Sequence, residues 1–470
     1  MSSPNPFPEK LLQTDRLSPK GRALTQDGKI EVIGALPKEE VLVQLGPTRK
    51  GKRCAFLRKV VNPSPDRVEP RCCHVPECGG CSLQQMDYRA QLREKEEKVG
   101  ALFADFIEED APEVRPILEC TDPWRYRNKM EFSFSENRSR DKFLGLMLAG
   151  SRGRVFNLKE CFLASEWFAN VVQEVRKWWE ESDLSAYHHR RNEGHLRTLT
   201  LREAKRGVGK MVILTVSGNP SFALKREALD RFVACIKKAS PEEPLSIFLQ
   251  VHQIAKGRPT QFFEMLLDGP DHITEKLFIV LNGKKHSLEC KISPTSFFQP
   301  NTLQAERLYS EGLSMLSNLE GGQLFDLYCG GATLGLCAAK VAKEVVGIEL
   351  NPHSVFDAGW NKEVNGIENF TIHRGDVGEV LTRLKSAGGF SPPDHVIVDP
   401  PRVGLDVKAL ENLSALAPKE ILYISCNPKT QKENIDSLRT AGYRLKILQP
   451  VDQFPHTIHV ENIALIERIC

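Results

Sequence analysis

The sequence predicts a chain of three parts: a small N-terminal β-barrel, a central α+β part and a C-terminal doubly wound α/β part. Its 470 residues exceed the roughly 250 to 300 at which one hydrophobic core stops growing. Short alternating apolar runs fill the beginning of the chain, whereas helix and strand patterns alternate regularly near its end. These observations place the three parts at residues 1–61, 62–290 and 291–470.

The N-terminal part alternates short apolar runs with turn-forming residues. The runs cover Ile30–Val32, Val41–Gln44 and Ala55–Val61, and the turns are DGK, GALP and GPTRKGK. This pattern is typical of a small OB-like β-barrel. The Pro-rich stretch NPSPDRVEP then marks a boundary.

The other two parts differ in how helices and strands follow one another. One clear helix pattern, Glu166–Glu181, stands among the strand-like runs of the central part, which predicts an α+β arrangement. Beyond Ser293 a helix pattern at Leu303–Leu316 opens a regular alternation, which predicts a mostly parallel, doubly wound sheet. The strand-like runs of this last part are Leu324–Tyr328, Val345–Glu349, Phe370–Arg374, His395–Val398, Glu420–Ser425 and Arg444–Gln449.

Composition limits the classes of protein. Apolar residues make up 41% and charged residues 27%, as in soluble globular proteins, and no apolar run approaches the roughly 20 residues that span a bilayer. The opening MSSPNPFPEK lacks the basic and apolar segments of a secretory signal, so a cytoplasmic location is expected. In that reducing compartment the 13 cysteines are expected as core residues, metal ligands or reactive thiols rather than as disulfides.

A glycine-rich loop follows the first strand of the C-terminal part. The run CGGATLG begins after Tyr328, and Gly330 within it lets a nucleotide approach the backbone. About 20 residues on, Glu349 ends the next strand, where a carboxylate can accept both hydroxyls of a ribose. Asp376 ends the third strand and either holds an adenine amino group or caps a helix. Together these residues favour a nucleoside cofactor.

Two further strand ends carry reactive groups. The fourth strand ends in DPPR, which begins with Asp399, and the fifth ends in SCNP, which contains Cys426. A lone Cys behind an apolar strand is usually an inert core residue. Cys426, however, opens a helix, whose dipole stabilises a thiolate, and it shares the strand-end cleft with Asp399. A nucleophile is therefore favoured.

The segment FPHTIHVE precedes the final apolar run, Ile463–Ile466. Glu461 at its end is placed to act as a general base. His456 and His459 lie in the same segment, and the pattern leaves open whether they are structural or functional.

Three cysteines share one tight loop as Cys72-x5-Cys78-x2-Cys81. Three thiolates need a fourth ligand, and Cys161 is the candidate because the other distant cysteines stand in apolar patterns. A four-Cys site holds zinc or an iron–sulfur cluster; the spacing fits zinc-finger pairs poorly, which favours iron–sulfur without deciding it. Cys73, beside Cys72, leaves the ligand identity uncertain by one residue.

The net charge of +3 is too small to indicate a nucleic-acid partner by itself. Local basic clusters are a better indicator, because Lys and Arg contact phosphates and aromatic rings stack on bases. Trp124 and Tyr126 are the candidate stacking residues. The clusters are RKGKR (residues 49–53), WRYRNK (residues 124–129) and HHRR (residues 188–191) with Arg197 and Arg202.

Taken together, these motifs resemble the RNA 5-methyluridine methyltransferase family, especially its iron–sulfur branch acting on 23S ribosomal RNA. The likeness covers nearly the whole chain: a TRAM-like barrel ahead of PSPDRVEP, then RCCHVPECGGC, YRNK, SFFQPN, DLYCGGATLG, DPPR, SCNP and FPHTIHVE. One departure is Gly330-Gly331-Ala332, where relatives have G-x-G; Ala332 is expected to weaken cofactor binding, with the backbone still able to turn at Gly331.

The resemblance implies S-adenosylmethionine as methyl donor and a [4Fe-4S] cluster. It places Gln299, Tyr328, Glu349 and Asp399 around S-adenosylmethionine and the target base, makes Cys426 the nucleophile and Glu461 the base, and puts the cluster on Cys72, Cys78, Cys81 and Cys161. The expected substrate is a uridine in a loop or flipped from the stack, and a monomer is expected.

Carbon 5 of uracil is a poor nucleophile, so the chemistry itself requires a thiolate that adds to carbon 6. A carboxylate must then remove the proton from carbon 5. Two other functions compete: a 5-methylcytidine enzyme, which has a different Cys-bearing motif, and a non-catalytic RNA-binding or ribosome-assembly factor. The pairing of SCNP with Glu461 argues against the first, and intact Cys426, Asp399 and Glu461 argue against the second.

Overall fold

The computed structural model describes residues 8–49, 51–151, 153–241, 244–254, 257, 260–387 and 391–469. Across these ranges, no helix combines the length and the apolar character needed to cross a membrane.

The N-terminal residues form one six-stranded sheet in the order β1-β5-β6-β4-β3-β2. All its pairs are antiparallel except β4 with β6. Val32, Val41, Val43 and Ala55 form the centre of its small core. The closure of this sheet into the expected barrel stays a prediction. Its strands are β1 (Glu9–Gln13), β2 (Arg16–Leu17), β3 (Ala23–Leu24), β4 (Ile30–Ile33), β5 (Glu40–Arg49) and β6 (Lys52–Asn62).

The cysteine loop follows, and then two helices and a short strand: α1 (Tyr88–Leu102), α2 (Ala104–Asp110) and β7 (Glu113–Val114). Asp87 starts α1 because its side chain accepts hydrogen bonds from the first backbone N–H groups of the helix.

The central part is a second six-stranded sheet, in the order β13-β12-β11-β10-β8-β9. Helices α3 and α4 pack against each other, and α3 buries three tryptophans in the core of this part. The predicted α+β arrangement is confirmed in this part. Its elements are β8 (Lys129–Glu136), β9 (Lys142–Gly145), α3 (Glu166–Glu180), β10 (Leu196–Glu203), β11 (Lys210–Ser217), a 3-10 turn (Pro220–Phe222), α4 (Arg226–Ala239), β12 (Leu245–Gln253) and β13 (Gln261–Asp268).

The last part holds a hairpin and an eight-stranded sheet in the order β18-β17-β16-β19-β20-β22-β21-β7. The six predicted strands are all present, and the sheet is mostly parallel, with β22 running antiparallel to its neighbours. Its elements are β14 (Ile273–Leu281), β15 (Lys284–Ile292), α5 (Thr302–Met315), a 3-10 turn (Leu319–Gly321), β16 (Gln323–Leu327), α6 (Thr333–Ala339), β17 (Glu344–Glu349), α7 (Pro352–Val364), β18 (Phe370–Arg374), α8 (Val377–Ser386), β19 (His395–Val398), α9 (Val407–Leu416), β20 (Glu420–Ser425), α10 (Pro428–Thr440), β21 (Tyr443–Val451) and β22 (Glu461–Arg468).

Two features of this sheet position the site. The chain winds outward from β16 in both directions, so β16 and β19 border the switch point at which open α/β sheets bind ligands. In addition, an earlier segment completes the sheet: β7 pairs with β21, and Val99, Phe103 and Phe106 of the α1–α2 segment pack in its core. The cysteine loop just before α1 is thereby held next to the C-terminal sheet.

Candidate active site

In the glycine-rich loop at the end of β16, three residues have left-handed backbone conformation. Tyr328, Gly330 and Ala332 have φ values of 65°, 55° and 58°. The hydrogen bond from Ala332 N to Cys329 O (2.8 Å) closes a turn through Gly330 and Gly331, so the expectation that the backbone turns at Gly331 is confirmed. Ala332, the residue that caps α6, is itself left-handed, and an alanine in this conformation costs about 1 kcal/mol relative to right-handed backbone.

Glu349 lies beside this loop, as its place at the end of β17 predicts. One of its carboxylate oxygens accepts a hydrogen bond from Gly330 N (2.9 Å), and the other accepts one from Asn351 N (2.6 Å). These bonds fix the orientation of the carboxylate. Each oxygen keeps lone pairs that can accept the hydroxyls of a ribose.

Asp326 is a member of this region that the sequence analysis missed. It stands inside β16, and burial raises its pKa to about 8. A Cβ on Gly335 would come within 2.6 Å of its carboxyl oxygen, so only glycine lets the start of α6 approach the strand this closely. An acidic residue in the middle of the apolar run LFDLY is the signal that points to it.

Asp376 follows β18 and caps α8 by accepting a hydrogen bond from Glu379 N (3.1 Å). The helix-cap interpretation is therefore correct. Burial raises the pKa of Tyr328, and the charges of Asp406 and then Asp376 raise it further, so Asp376 lies near Tyr328. Contact of Asp376 with an adenine stays a prediction.

Gln299 is buried where three distant segments meet. Asn128 Nδ2 of the YRNK motif donates to the backbone carbonyl of Gln299 (2.8 Å), and Gln453 Nε2 donates to its side-chain oxygen (3.3 Å). The side-chain amide of Gln299 is thus oriented by the segment that leads to Glu461.

Cys426, Asp399 and Glu461 come together on three neighbouring strands. Asp399 follows β19, Cys426 follows β20, and Glu461 begins β22, so all three lie at one edge of the sheet. Cys426 is half-buried and Glu461 is buried. Cys426 also stands two residues before α10, as its helix-start pattern predicts.

The charged groups at this centre shift one another's pKa values. Burial raises the pKa of both Asp399 and Glu461, and the charge of Asp399 raises that of Glu461 further. Burial also raises the pKa of Cys426, followed by the charge of Glu461, while the guanidinium of Arg402 acts in the opposite direction. Arg402, the last residue of DPPR, is thus the local cation of the centre, a role the sequence analysis did not assign.

The two histidines of FPHTIHVE have different surroundings. His456 stacks on Trp124 (3.9 Å between ring centres), and its Nδ1 lies 3.2 Å from Gln91 Nε2. Burial lowers the pKa of His456 to about 3 and that of His459 to about 4, with Arg402 contributing to the second shift. Both imidazoles are therefore neutral near pH 7, and His456 is a packing residue.

The WRYRNK cluster is mostly internal rather than a free RNA track. Tyr126 is buried and donates to Pro455 O (3.1 Å), so its predicted role in stacking on bases is wrong. Arg125 donates to Ala164 O (2.7 Å), and Trp124 is occupied by the ring of His456. These side chains make contacts within the protein that compete with contacts to RNA.

The other two basic clusters differ. The HHRR run is exposed, but Arg202 is buried and donates to Ser296 O (2.7 Å), so it does not belong to a surface patch. In the RKGKR run, Lys52 is exposed and Arg53 is partly exposed. Lys50 and the side chain of Arg49 lie outside the described residues.

Four of the cysteines line one cavity of about 150 Å³ between the cysteine loop and the central sheet. Cys72, Cys78 and Cys81 come from the loop, and Cys161 comes from the segment ahead of α3. Cys73 is exposed, and it does not line this cavity. Burial raises the pKa of all four cavity thiols.

The cavity thiols are neighbours without being in close contact. Each of Cys72, Cys78 and Cys81 has its pKa raised in part by the charge of Cys161. In the part of the chain that the structure describes, no group of three or more His, Cys, Asp or Glu side chains is close enough to hold a metal ion.

The doubly wound sheet, its glycine-rich loop and the thiol at the switch-point edge together define an α/β transferase with a nucleoside cofactor site. Comparisons identify the family. Residues 242–469 match the family model described as tRNA (uracil-5-)-methyltransferase. An uncharacterized RNA methyltransferase of Protochlamydia amoebophila is 47% identical over 442 residues, which cover 93% of this chain and 99% of the relative. One of Clostridium acetobutylicum is 33% identical over 98% of this chain and 97% of its own.

The chain therefore belongs to the RNA (uracil-5-)-methyltransferase family, and it is an RNA methyltransferase. A solved structure agrees with this assignment. The tRNA (uracil-54, C5)-methyltransferase of Pyrococcus abyssi, in complex with S-adenosyl-L-homocysteine, superposes with a TM-score of 0.71 at 25% identity, covering 97% of this chain and 100% of that one.

Proposed function

We propose that this enzyme transfers a methyl group from S-adenosylmethionine to carbon 5 of a uridine in RNA through a covalent intermediate on Cys426. The observation that carries the proposal is the convergence of Cys426, Asp399 and Glu461 at one edge of the sheet, beside Arg402. A thiol, a local cation and a carboxyl of raised pKa are the groups that this chemistry needs.

In the first half of the reaction, the thiolate of Cys426 adds to carbon 6 of the uracil ring. The electrons of the 5,6 double bond move toward the O4 carbonyl, which makes carbon 5 nucleophilic. The guanidinium of Arg402 favours the ionised thiol. A protonated Asp399 can donate a hydrogen bond to the carbonyl edge of the ring, since its raised pKa keeps the proton near neutral pH.

When bound, S-adenosylmethionine supplies an electrophilic methyl group on a sulfonium. Glu349 is oriented to accept the ribose hydroxyls, and Gly330 opens space for the nucleoside at the loop. Gln299, Tyr328, Asp376 and Asp399 complete the proposed cofactor and base contacts. The structural relative with S-adenosyl-L-homocysteine supports this choice of donor.

In the second half, Glu461 removes the proton from carbon 5. The 5,6 double bond forms again, and the sulfur of Cys426 leaves carbon 6 with its electron pair. A buried carboxylate with a raised pKa is a stronger base than an exposed one, which suits it to this step.

We propose 23S ribosomal RNA as the substrate, with the target uridine in a loop or flipped into the cleft, and we propose that the enzyme works as a cytoplasmic monomer. The resemblance of RCCHVPECGGC and the flanking motifs to the ribosomal branch supports this substrate. A transfer RNA is the second candidate, because the matching family model is that of tRNA (uracil-5-)-methyltransferase and the solved relative is a tRNA (uracil-54, C5)-methyltransferase.

One experiment tests the chemistry and a second tests the target. RNA carrying 5-fluorouridine should form an adduct with the enzyme that survives denaturation, because fluorine cannot leave as a cation. If the adduct forms with neither ribosomal RNA nor transfer RNA, the covalent route is wrong. Mapping of 5-methyluridine in ribosomal and transfer RNA from cells lacking the gene then decides between the two targets: loss in transfer RNA alone would overturn the ribosomal proposal.

We further propose that Cys72, Cys78, Cys81 and Cys161 hold a [4Fe-4S] cluster. The donor set fits, since four thiols line one cavity and thiolates are the ligands such clusters take. Thiols around a single zinc ion crowd to about 4 Å from one another, as Zn–S bonds near 2.3 Å require, and a cluster spaces them more widely. The bound cluster would supply positive iron charge that offsets the four thiolates.

A further inference from the structure

The segment that leads into Glu461 is held by groups from earlier in the chain. We call residues 452–460, between β21 and β22, the terminal loop. Tyr126 donates its hydroxyl to Pro455 O (3.1 Å), and Leu83 N donates to His456 O (3.1 Å). Lys95, which is buried and paired with Asp452, also donates to Phe454 O (3.1 Å). The loop is thus anchored from outside along its length.

The last of these anchors before Glu461 falls on Ile458. Its N–H donates to Ser82 Oγ (3.1 Å), and its carbonyl accepts from Lys98 Nζ (3.4 Å). Ser82 directly follows Cys81, and Leu83, which anchors His456, directly follows Ser82. The cysteine loop therefore grips the terminal loop three residues ahead of the proposed base.

The N-terminal sheet reinforces the same contact. A Cβ built on Gly21 would lie 2.6 Å from Ser82 Oγ and 3.1 Å from the Cβ of Ile458. The turn at Gly21 is thus packed against both partners of the hydrogen bond, and it leaves the Ser82 hydroxyl little room to turn away.

Glu461 depends on such outside support. Its backbone pairs with Val451 at the start of β22, which fixes it from the C-terminal side. Its carboxyl is buried, and none of the described residues forms a hydrogen bond with that carboxyl. The position of the carboxylate is therefore set by the backbone on both sides, and on the N-terminal side that backbone is the terminal loop.

We propose that Ser82 is a positioning residue for proton removal: by accepting the hydrogen bond from Ile458 N–H, it holds the terminal loop so that Glu461 faces carbon 5 of the methylated adduct. The proposal rests on the proposed role of Glu461 as the base. The step served is the transfer of the carbon 5 proton to the Glu461 carboxylate, with the 5,6 double bond forming and the electron pair of the C6–S bond returning to Cys426.

The role separates the two halves of the reaction. Among the described residues, Ser82 forms no hydrogen bond with the glycine-rich loop or with the strand end that carries Cys426. Gln453, the terminal-loop residue that orients Gln299, is held by its own hydrogen bonds with Asn301. Thiol addition and methyl transfer therefore do not depend on Ser82. Proton removal does, since a displacement of about 1 Å in a reacting group can cost on the order of a hundredfold in rate.

The test is single-turnover methylation by the full-length enzyme with Ser82→Ala, using S-adenosylmethionine labelled in its methyl group. Label entering RNA, free or protein-bound, reports methyl transfer, and the loss of protein-bound label reports elimination. We expect an unchanged first rate and an elimination slowed about ten- to a hundredfold, with a denaturation-resistant adduct accumulating. Equal slowing of both steps, or of neither, would overturn the proposal.

Ser151→Ala is the matched control, because the recorded acceptors of Ser151 Oγ are local backbone carbonyls, Leu148 O (2.8 Å) and Arg154 O (3.3 Å). It should leave both rates as in the unaltered enzyme. Hydrogen exchange gives an independent readout: the Ile458 amide should exchange faster in Ser82→Ala and not in Ser151→Ala. Unchanged exchange in Ser82→Ala would also contradict the proposal.

Two further variants separate the possible failures. Glu461→Gln should trap the same adduct; if it does not, the assignment of the base fails, whatever Ser82 does. If Glu461→Gln traps the adduct and Ser82→Ala does not, only the positioning role fails. Should Ser82→Ala not fold, Gly21→Ala replaces it, because its added methyl displaces the Ser82 hydroxyl from outside the catalytic sheet and should give the same selective loss of elimination.

Discussion

Two cysteine-containing regions of this chain differ in how a thiolate can be stabilised. At the reaction centre, one half-buried thiol, Cys426, has the guanidinium of Arg402 nearby to offset its charge. In the cysteine cavity, burial raises the pKa of all four thiols, and the charge of Cys161 raises the pKa of Cys72, Cys78 and Cys81 further. Arg127 opposes this at Cys81, and Arg127 and Arg125 oppose it at Cys161. Without further positive charge the cavity thiols stay protonated, which is why ionisation of all four belongs to the proposed cluster and not to the protein alone.

The largest loss of activity should come from replacing Cys426, the proposed nucleophile, and not from replacing other cysteines. Cys426→Ala removes the group that adds to carbon 6, so methyl transfer should fall by about 10⁴-fold or more, and no adduct should form with 5-fluorouridine RNA. Labelled methyl incorporation measures the first and denaturing gels the second. Cys235→Ala, a partly buried thiol on α4, is the control and should retain activity. Normal turnover by Cys426→Ala would end the covalent mechanism.

The next variant acts on the other end of the same intermediate. Glu461→Gln should still transfer the methyl group once but release product about 10²- to 10⁴-fold more slowly, because an amide cannot take the proton. Stable protein–RNA adduct on denaturing gels is the readout. Glu467→Gln, six residues along the same strand in a surface ion pair, should behave like the unaltered enzyme. Fast product release by Glu461→Gln would move the base elsewhere.

At the cavity, two cysteines of the same loop should behave differently. Cys78→Ser should lose the iron and the visible absorbance of anaerobically purified protein, whereas Cys73→Ser should keep both, since Cys73 is exposed and outside the cavity. Thermal unfolding should show a loss of several kcal/mol in the first variant, because bound metal contributes folding free energy, roughly 10 kcal/mol or more for structural zinc. Stoichiometric zinc without iron would contradict the cluster.

The two regions should also respond differently to pH. Burial raises the pKa of Glu461, and the base is its ionised form, so elimination should accelerate as pH rises through neutrality, by up to about tenfold per unit. Single-turnover rates of adduct decay between mildly acidic and mildly alkaline pH would measure this. Iron content, held by metal bonds, should not change over the same range. A rate of decay independent of pH would mean that proton removal does not limit this step.

The smallest effect concerns the basic residues of the N-terminal sheet. Replacing Lys52 and Arg53 by Gln should lower the dependence of log affinity on log salt by roughly 0.7 to 0.9 per lost phosphate contact, with cofactor affinity unchanged. Filter binding at several salt concentrations would show it. Lys237→Gln, whose ammonium pairs with Asp268, serves as control. An unaltered slope would remove the N-terminal sheet from the RNA path.

Local pattern was sufficient where a residue's role depends on its own strand. Glu349, Asp399 and Cys426 were predicted because parallel strands bring their carboxyl ends to one edge, a rule that needs no knowledge of packing. Cys72, Cys78 and Cys81 were named from their spacing. Cys161, which stands 80 residues beyond Cys81, was named because the other distant cysteines stand in apolar patterns. The roles of these residues in catalysis and metal binding remain predictions.

Other residues could not be assigned from pattern, since their surroundings come from distant segments. Tyr126 was expected to stack on bases, yet Pro455 takes its hydroxyl. The left-handed conformation of Ala332 was not predicted, because it depends on how the loop enters α6. Arg402 gains its importance only from the buried charges around it.

The sequence by itself determined the doubly wound sheet, the strand-end groups and the family, because hydrophobic periodicity, the alternation of helices and strands along the chain and short motifs are local properties. Only the tertiary structure decided that β7 and α1 join the C-terminal sheet and bring the cysteine loop against the terminal loop. That contact joins Ser82 to Ile458, 376 residues apart, and no local pattern encodes it. The contact forms because the burial of Val99, Phe103 and Phe106 against the sheet is favourable, and this burial brings together segments that are far apart in the sequence.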